Sequence, residues 1–243
     1  MKIVTIFKWS RNPQDARVGM NGTIDWRGVK MAPSDDDPAV MEVAKALAGD
    51  GEIIGLTIGD GDIAWAAARG AERTVVVTDA QTKLDGAVTA AVIAVAVKRI
   101  EGVEAVIIGD SAWDYGVVSA LMGQLGWPAV AGVVAASKEG NRLQVTRKIG
   151  TTSQVLEIEG PVVLAVMASR KEVNVPGMKE ILAARKKPVE RLTMKDLGLT
   201  LDRNVNSKGT RFPDTPAAKI IDGSDPVAAC KELMAALHSD GVL

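Results

Sequence analysis

With 243 residues, 47% of them apolar, the chain can bury a full core as one large α/β domain, with or without an arm. Its 29 Lys and Arg balance 30 Asp and Glu for a formal charge of −1, and aromatic residues make up only 3%. That excludes the basic excess of a nucleic-acid protein and the stacking platforms of a single-strand binder. One cysteine, Cys230, and one histidine, His238, rule out an internal disulfide and are too few to build a zinc or iron–sulfur site.

The chain opens MKIVTIFKWS, a strand pattern without the apolar stretch and cleavage site of a signal peptide. Strands are expected at Lys2–Phe7, Ile53–Ile58, Thr74–Val77 and Ala105–Ile108. Each is nearly continuous in Val, Ile, Leu or Thr, as suits strands buried on both faces of a parallel sheet. Helices are expected between them at Pro38–Ala48, Ile63–Arg69, Gly86–Ile100 and Gly116–Leu125. This β-α-β rhythm predicts right-handed crossovers and a doubly wound, mostly parallel sheet. Asp37 and Pro38 read as the N-cap and first residue of the first helix. Before it, Arg17–Lys30 reads as a hairpin turning at Asn21-Gly22. The mostly apolar run Ala87–Val97 is too short to span a bilayer, so a cytoplasmic protein is expected.

After Trp127-Pro128, strands at Val130–Ala136, Arg142–Ile149, Ser153–Ile158 and Val162–Ala168 follow one another through short turns, an antiparallel extension of the sheet. A basic helix, Met178–Lys187, stops at Pro188. Lys195–Pro216 is rich in Asn, Lys, Arg, Gly and Pro and reads as an extended arm. A last helix, Pro226–His238, follows Ser224-Asp225 as its cap.

Gly59-Asp60-Gly61 leaves one strand and opens a helix, where a phosphate could approach the helix N-terminus; read without a ligand it is only a turn. No Walker-type glycine loop is present. Gly109-Asp110-Ser111-Ala112 leaves another strand. The strand ends after Ile6, Ile58 and Ile108 should lie side by side, where open α/β sheets place their ligands. Asp35, Asp36 and Asp37 could group around a metal, but carboxylates at a helix N-terminus gain from its dipole without one. Arg185-Lys186-Lys187 reads as a solvated helix end or, alternatively, a docking patch. No Ser–His–Asp arrangement and no distinguished carboxylate pair suggests a catalyst, so the chain reads as a holder rather than an enzyme.

In order, MKIVTIFK, the hairpin, SDDDPAVMEVAKAL, LTIGDGD, the Gly109 loop running to LGWP, LQVTRKI and VPGMKEILAARKKP resemble the beta subunit of electron-transfer flavoproteins, the Fix-type branch included, over about residues 1–195. The spacing of Leu125-Gly126-Trp127-Pro128, Val145-Thr146-Arg147 and Lys186-Lys187-Pro188 is the most specific part. The resemblance implies an adenine-nucleotide alpha-hydrolase-like α/β domain over residues 1–190, and a C-terminal arm and helix, 191–243, on an alpha subunit. It implies FAD held mainly by that alpha subunit, and AMP, or a second FAD in a bifurcating member, in beta. The implied partners are an acyl-CoA dehydrogenase-like flavoenzyme and a quinone oxidoreductase or ferredoxin.

Carried over residue by residue, the nucleotide contacts fall on Ile6, on Ser34, Asp35, Asp36 and Asp37, on Ile58 and Gly59, and on Gly109, Asp110, Ser111, Ala112, Asp114, Tyr115, Gly116, Val117, Val118 and Ser119. The last loop is shorter than the family pattern and lacks its Gln-Thr pair. The anchoring leucine of the family's dehydrogenase-recognition loop falls on Met178, flanked by Pro176 and Lys179. The other reading of Met178 is an ordinary core residue. An autonomous nucleotide-binding protein or hydrolase of the universal-stress type, or an NAD-linked oxidoreductase, is the alternative; either would need a stronger phosphate loop than Gly59–Gly61.

Overall fold

The computed structural model describes residues 1–59, 61–80, 85–110, 116–168, 175–200, 205, 207–215 and 218–243. The first strand, β1 (Ile3–Ile6), is buried along its length. Beyond it come four two-residue strands, β2 (Ser10–Arg11), β3 (Arg17–Val18), β4 (Ile24–Asp25) and β5 (Met31–Ala32), β2 pairing with β5 and β3 with β4. The regular alternation then begins: α1 (Asp37–Ala48), β6 (Ile53–Ile58), α2 (Ala64–Ala67), β7 (Arg73–Val77), α3 (Gly86–Lys98), β8 (Ala105–Gly109) and α4 (Val117–Leu125). It continues with β9 (Ala129–Glu139), β10 (Arg142–Ile149), β11 (Thr152–Glu159), β12 (Val162–Val166), α5 (Met178–Ala184), β13 (Val189–Leu192) and α6 (Pro226–Ser239).

The strands form one mixed sheet in the order β11-β10-β9-β12-β8-β1-β6-β7-β13. Neighbours from β9 to β13 along that order run parallel, and β10 runs antiparallel to both β9 and β11. A doubly wound, mostly parallel sheet with an antiparallel extension is therefore the fold. One face carries Ile3, Val40, Met41, Leu47, Trp65 and Leu164 in a single apolar cluster. The other carries Val4, Leu56, Val92, Ile93, Leu121 and Val163. Burial on both faces is what the unbroken apolar runs encode.

Four elements differ from the sequence reading. β12 is not part of the antiparallel extension: all five residues are buried and it lies parallel between β8 and β9. β13 lies in a stretch to which the sequence reading assigned no element, across the expected boundary at 190/191; it pairs parallel with β7 at the sheet edge. The helix expected at Ile63–Arg69 is regular only over Ala64–Ala67, and the chain turns at Gly70 with φ +118°. Met178–Lys187 is helical only to Ala184. In addition, Lys195–Pro216 is not arm from its start. Leu197 is buried in the α3-side cluster, and Arg99 donates to the Asp196 carbonyl at 2.5 Å. Residues 205 and 207–215 are exposed, without helix or strand.

The chain divides into two compact units, Met1–Arg17 with Asp25–Lys208, and Val18–Ile24 with Gly209–Leu243. In the second, Asn21 Oδ1 accepts from the Thr23 amide and hydroxyl, and Gly22 takes φ +77°. A Cβ at Gly22 would collide with the Phe212 amide nitrogen, and the Ile24 amide donates to Thr210 Oγ1 at 3.1 Å. Hairpin tip and C-terminal segment thus meet backbone to backbone. Asp225 caps α6 through the Val227 and Ala228 amides, as read from sequence, yet no residue of α6 is buried.

Candidate functional site

β1 is central in the sheet, with β6 on one side and β8 on the other, and the chain crosses from one flank to the other between β7 and β8. A topological switch of this kind leaves a crevice outside the carboxyl ends of the strands. The crevice is present and encloses about 830 Å³ of empty space, its open mouth included. Ile6, Ile58 and Gly109 at the three strand ends line it, with Ser34 and Asp37 before and at the start of α1 and Val117 and Val118 at the start of α4.

The remaining expected residues are placed differently. Asp35 is exposed. Asp36 is half-buried behind Gly109: a Cβ added to Gly109 would stand 2.8 Å from the Asp36 Cβ. The Gly59 amide donates to the Val77 carbonyl at 2.9 Å, which makes Gly59 a turn in the ladder. Asp110 Oδ2 accepts from the Gly132 amide at 2.7 Å, tying β8 to a bend in β9. Gly116 takes φ +95° ahead of α4, and Ser119 is exposed. Asp60, Ser111, Ala112, Asp114 and Tyr115 lie outside the described residues.

Asp37 is not the N-cap its sequence position suggested. It is the first residue of α1, and Asp36, in the cap position, makes no side-chain cap bond. The Asp37 carboxylate instead accepts from the Ser34 amide at 2.9 Å and the Lys8 amide at 3.0 Å. It therefore ties the exit of β1 to the turn before α1. Burial pushes its pKa up to about 7, against the opposing pull of those amides. Asp36 is raised too, chiefly by burial, with Asp110 and Asp35 adding repulsion.

The Asp37 shift has a consequence for stability. Folded Asp37 holds its proton more tightly than an ordinary carboxyl at 3.8. The stability this contributes is full below that value and is lost as pH rises through about 7. Asp37→Asn keeps an oxygen for the two amides and carries no charge. Its melting temperature is expected to vary less than wild type between pH 4 and 7 and to exceed it above pH 7, as differential scanning fluorimetry would read.

Phe7, Lys8, Trp9, Ser10, Thr57 and Thr89 also line the crevice and were not singled out from sequence. Phe7 stacks on Trp65 at 5.4 Å between ring centroids, and the Arg69 guanidinium lies 4.2 Å over the Trp65 ring. In a chain this poor in aromatics, their concentration beside one strand end was a usable signal.

α5 forms a second feature. Ala184 packs with Ala64 and Ala67 of α2, and Lys187 Nζ donates to the Ala67 and Ala71 carbonyls at 3.0 and 2.7 Å. Lys187 is thus a structural tether rather than part of a free basic patch. The Glu180 carboxylate accepts from the Gly177 amide at 2.6 Å and fixes the helix start. On the outward side Met178 is 72% exposed, Val175 78% and Leu182 52%, while Pro176 is half-buried and Lys179 exposed. Met178 is not a core residue.

Fold and crevice define an open, doubly wound α/β protein with a cleft at its switch point. The sequence model of the electron transfer flavoprotein domain matches residues 22–197. The chain belongs to the electron transfer flavoprotein family, whose members are electron carriers that work with redox partners. That membership does not favour an autonomous hydrolase. Among the described residues, no helix is long and apolar enough to cross a membrane.

Proposed function

We infer that the chain is the beta subunit of a cytoplasmic heterodimeric electron-transfer flavoprotein, a non-catalytic subunit that holds a nucleotide and docks an acyl-CoA dehydrogenase-like flavoenzyme. The observation that carries the reading is the switch-point crevice. Its walls, including Phe7, Trp9 and Ile58, suit a flat base, and the first turn of α4, the positive end of its dipole, suits a phosphate. That donor set fits AMP, or the AMP half of FAD in a bifurcating member. The redox FAD sits mainly on the alpha subunit and supplies the electron chemistry; this chain positions it by pairing. Gly209–Leu243 is the segment that meets alpha, and a quinone oxidoreductase or ferredoxin completes the electron path.

Co-expression with the alpha subunit, co-purification, and extraction of the bound nucleotide test the reading directly. A single nucleotide in one-to-one amount is expected; a heterodimer free of nucleotide would refute the crevice assignment. Gly116 takes φ +95°, a conformation that side chains disfavour, and among the described residues nothing lies within 4 Å of a Cβ there. Gly116→Leu is therefore expected to displace the first turn of α4 and lower nucleotide occupancy severalfold, with full occupancy counting against phosphate at that helix start.

A further inference from the structure

Four polar side chains are buried among the described residues: Thr5, Asp37, Thr57 and Thr74. Three are satisfied within the chain. Thr5 Oγ1 donates to the Ile54 carbonyl at 3.3 Å, and Thr74 Oγ1 to the Ile63 carbonyl at 2.9 Å. Asp37 accepts from two amides. The fourth, Thr57, is 1% exposed and its hydroxyl has no hydrogen-bond partner. Valine would fill the same volume in a strand that otherwise reads Ile-Ile-Gly-Leu-Thr-Ile, without a buried hydroxyl left unpaired.

The place of this orphan is informative. Thr57 lines the crevice together with Phe7 and Trp9, and a Cβ at Gly61 would touch both the Trp9 side chain, at 2.7 Å, and Thr57 Oγ1, at 3.6 Å. The hydroxyl therefore lies beside the indole, on the α1–α2 side of the sheet, where Asp37 also lines the crevice. A phosphate is disfavoured next to a carboxylate and is better served at the start of α4, which belongs to the opposite face. The aromatic, hydroxyl-bearing end is left for a planar, hydrogen-bonding group.

We propose that Thr57 is a ligand-reading residue: its hydroxyl hydrogen-bonds the nucleoside part of the nucleotide held in the crevice, beside Trp9. The proposal rests on the nucleotide reading above and adds an orientation to it, nucleoside at β6 and phosphate at α4. A hydroxyl both donates and accepts, so it can meet a ring nitrogen, an exocyclic amine or a ribose hydroxyl.

The test uses the full chain, freed of bound nucleotide by dialysis, with AMP, adenosine and inorganic phosphate as probes in calorimetric titrations. Thr57→Val is expected to weaken AMP and adenosine alike by about tenfold. It should leave phosphate binding unchanged and the melting temperature of the unliganded protein equal or higher. Thr57→Ser should restore adenosine affinity to within about twofold. If wild type binds AMP and Thr57→Val binds it as tightly, the hydroxyl serves something else, such as an internal water, and the proposal falls while the nucleotide site stands. If both Thr57 variants lose affinity and melt lower, the residue acts through packing and the proposal is equally overturned. If wild type binds neither AMP nor adenosine, the nucleotide reading itself fails.

Discussion

Deleting residues 209–243 is expected to abolish pairing with the alpha subunit while leaving the main melting transition nearly unchanged. α6 spans 14 residues and buries none of them. Isolated helices of about 12–15 residues are marginal in water. Val227, Cys230, Met234 and Leu237 fall on one face at i, i+3, i+7 and i+10, and Leu233 lies alongside. Val227 and Met234 are exposed on it, Leu233 beside it, and the Lys219–Glu232 ion pair is a surface contact of little weight. A face of this kind is built to be covered. Burying an apolar side chain of that size is worth about 1.5 kcal/mol or more, so losing two alone would weaken pairing roughly 100-fold. Sedimentation of co-expressed subunits measures it. The double substitution Val227→Asp with Met234→Asp should reproduce the loss without truncation, because neither side chain is buried. A deletion variant that still forms a full-strength heterodimer would remove the C-terminal segment from the interface.

How much of this was legible in the sequence depended on burial. Ile53–Ile58 and Arg142–Ile149 were bounded to the residue, the first because both faces are apolar, the second because Leu143, Val145 and their polar neighbours alternate cleanly. Val162–Val166 was recognised as a strand but given the wrong neighbours. A short apolar run carries no information about direction of pairing, and a turn at Gly160 looks the same whether the next strand folds back beside β11 or passes to the far side of β9. Val189–Leu192 was missed because it sits at the sheet edge, where Glu190 reaches Arg73 at 3.0 Å and the apolar signal is halved. Hydropathy also could not see that Lys187 is bound to the carbonyls of Ala67, at the end of α2, and of Ala71 just beyond it, since a tethered and a solvated lysine read alike.

The crevice was legible as a location and less so as a set of side chains. Strand ends predicted from hydropathy placed Ile6, Ile58 and Ile108 on its rim. The acids beside them were harder, because a carboxylate near a helix start can cap, tether or face the ligand. Here Asp37 tethers and Asp110 braces β9, outcomes set by chain positions dozens of residues away. Thr57 carried a readable mark: it is the only hydroxyl in an otherwise apolar strand.

Met178→Ala is expected to weaken binding of the acyl-CoA dehydrogenase-like partner by roughly 30-fold, with alpha pairing, nucleotide content and melting temperature unchanged. The argument begins with exposure: at 72% exposed, the side chain contributes little to the fold, so truncating it removes little from the core. Its base is rigid. Glu180 closes the first turn on the Gly177 amide, Ala184 packs on α2, and Lys187 bolts the far end to the α2–β7 turn. A preordered apolar anchor loses little freedom on docking, and a flexible thioether adapts to a partner pocket. Val175 and Leu182 extend the same apolar surface to either side. Truncating such an anchor typically removes about 2 kcal/mol, which is the 30-fold expected here. Lys179, Arg185 and Lys186 are exposed nearby and should act on encounter, so reversing them would slow association in a salt-dependent way, whereas Met178→Ala should act on dissociation and persist in high salt. Stopped-flow electron transfer between the heterodimer and the dehydrogenase, at low and high ionic strength, separates the two. Unchanged partner affinity in Met178→Ala, at either ionic strength, would leave α5 as a structural brace and nothing more.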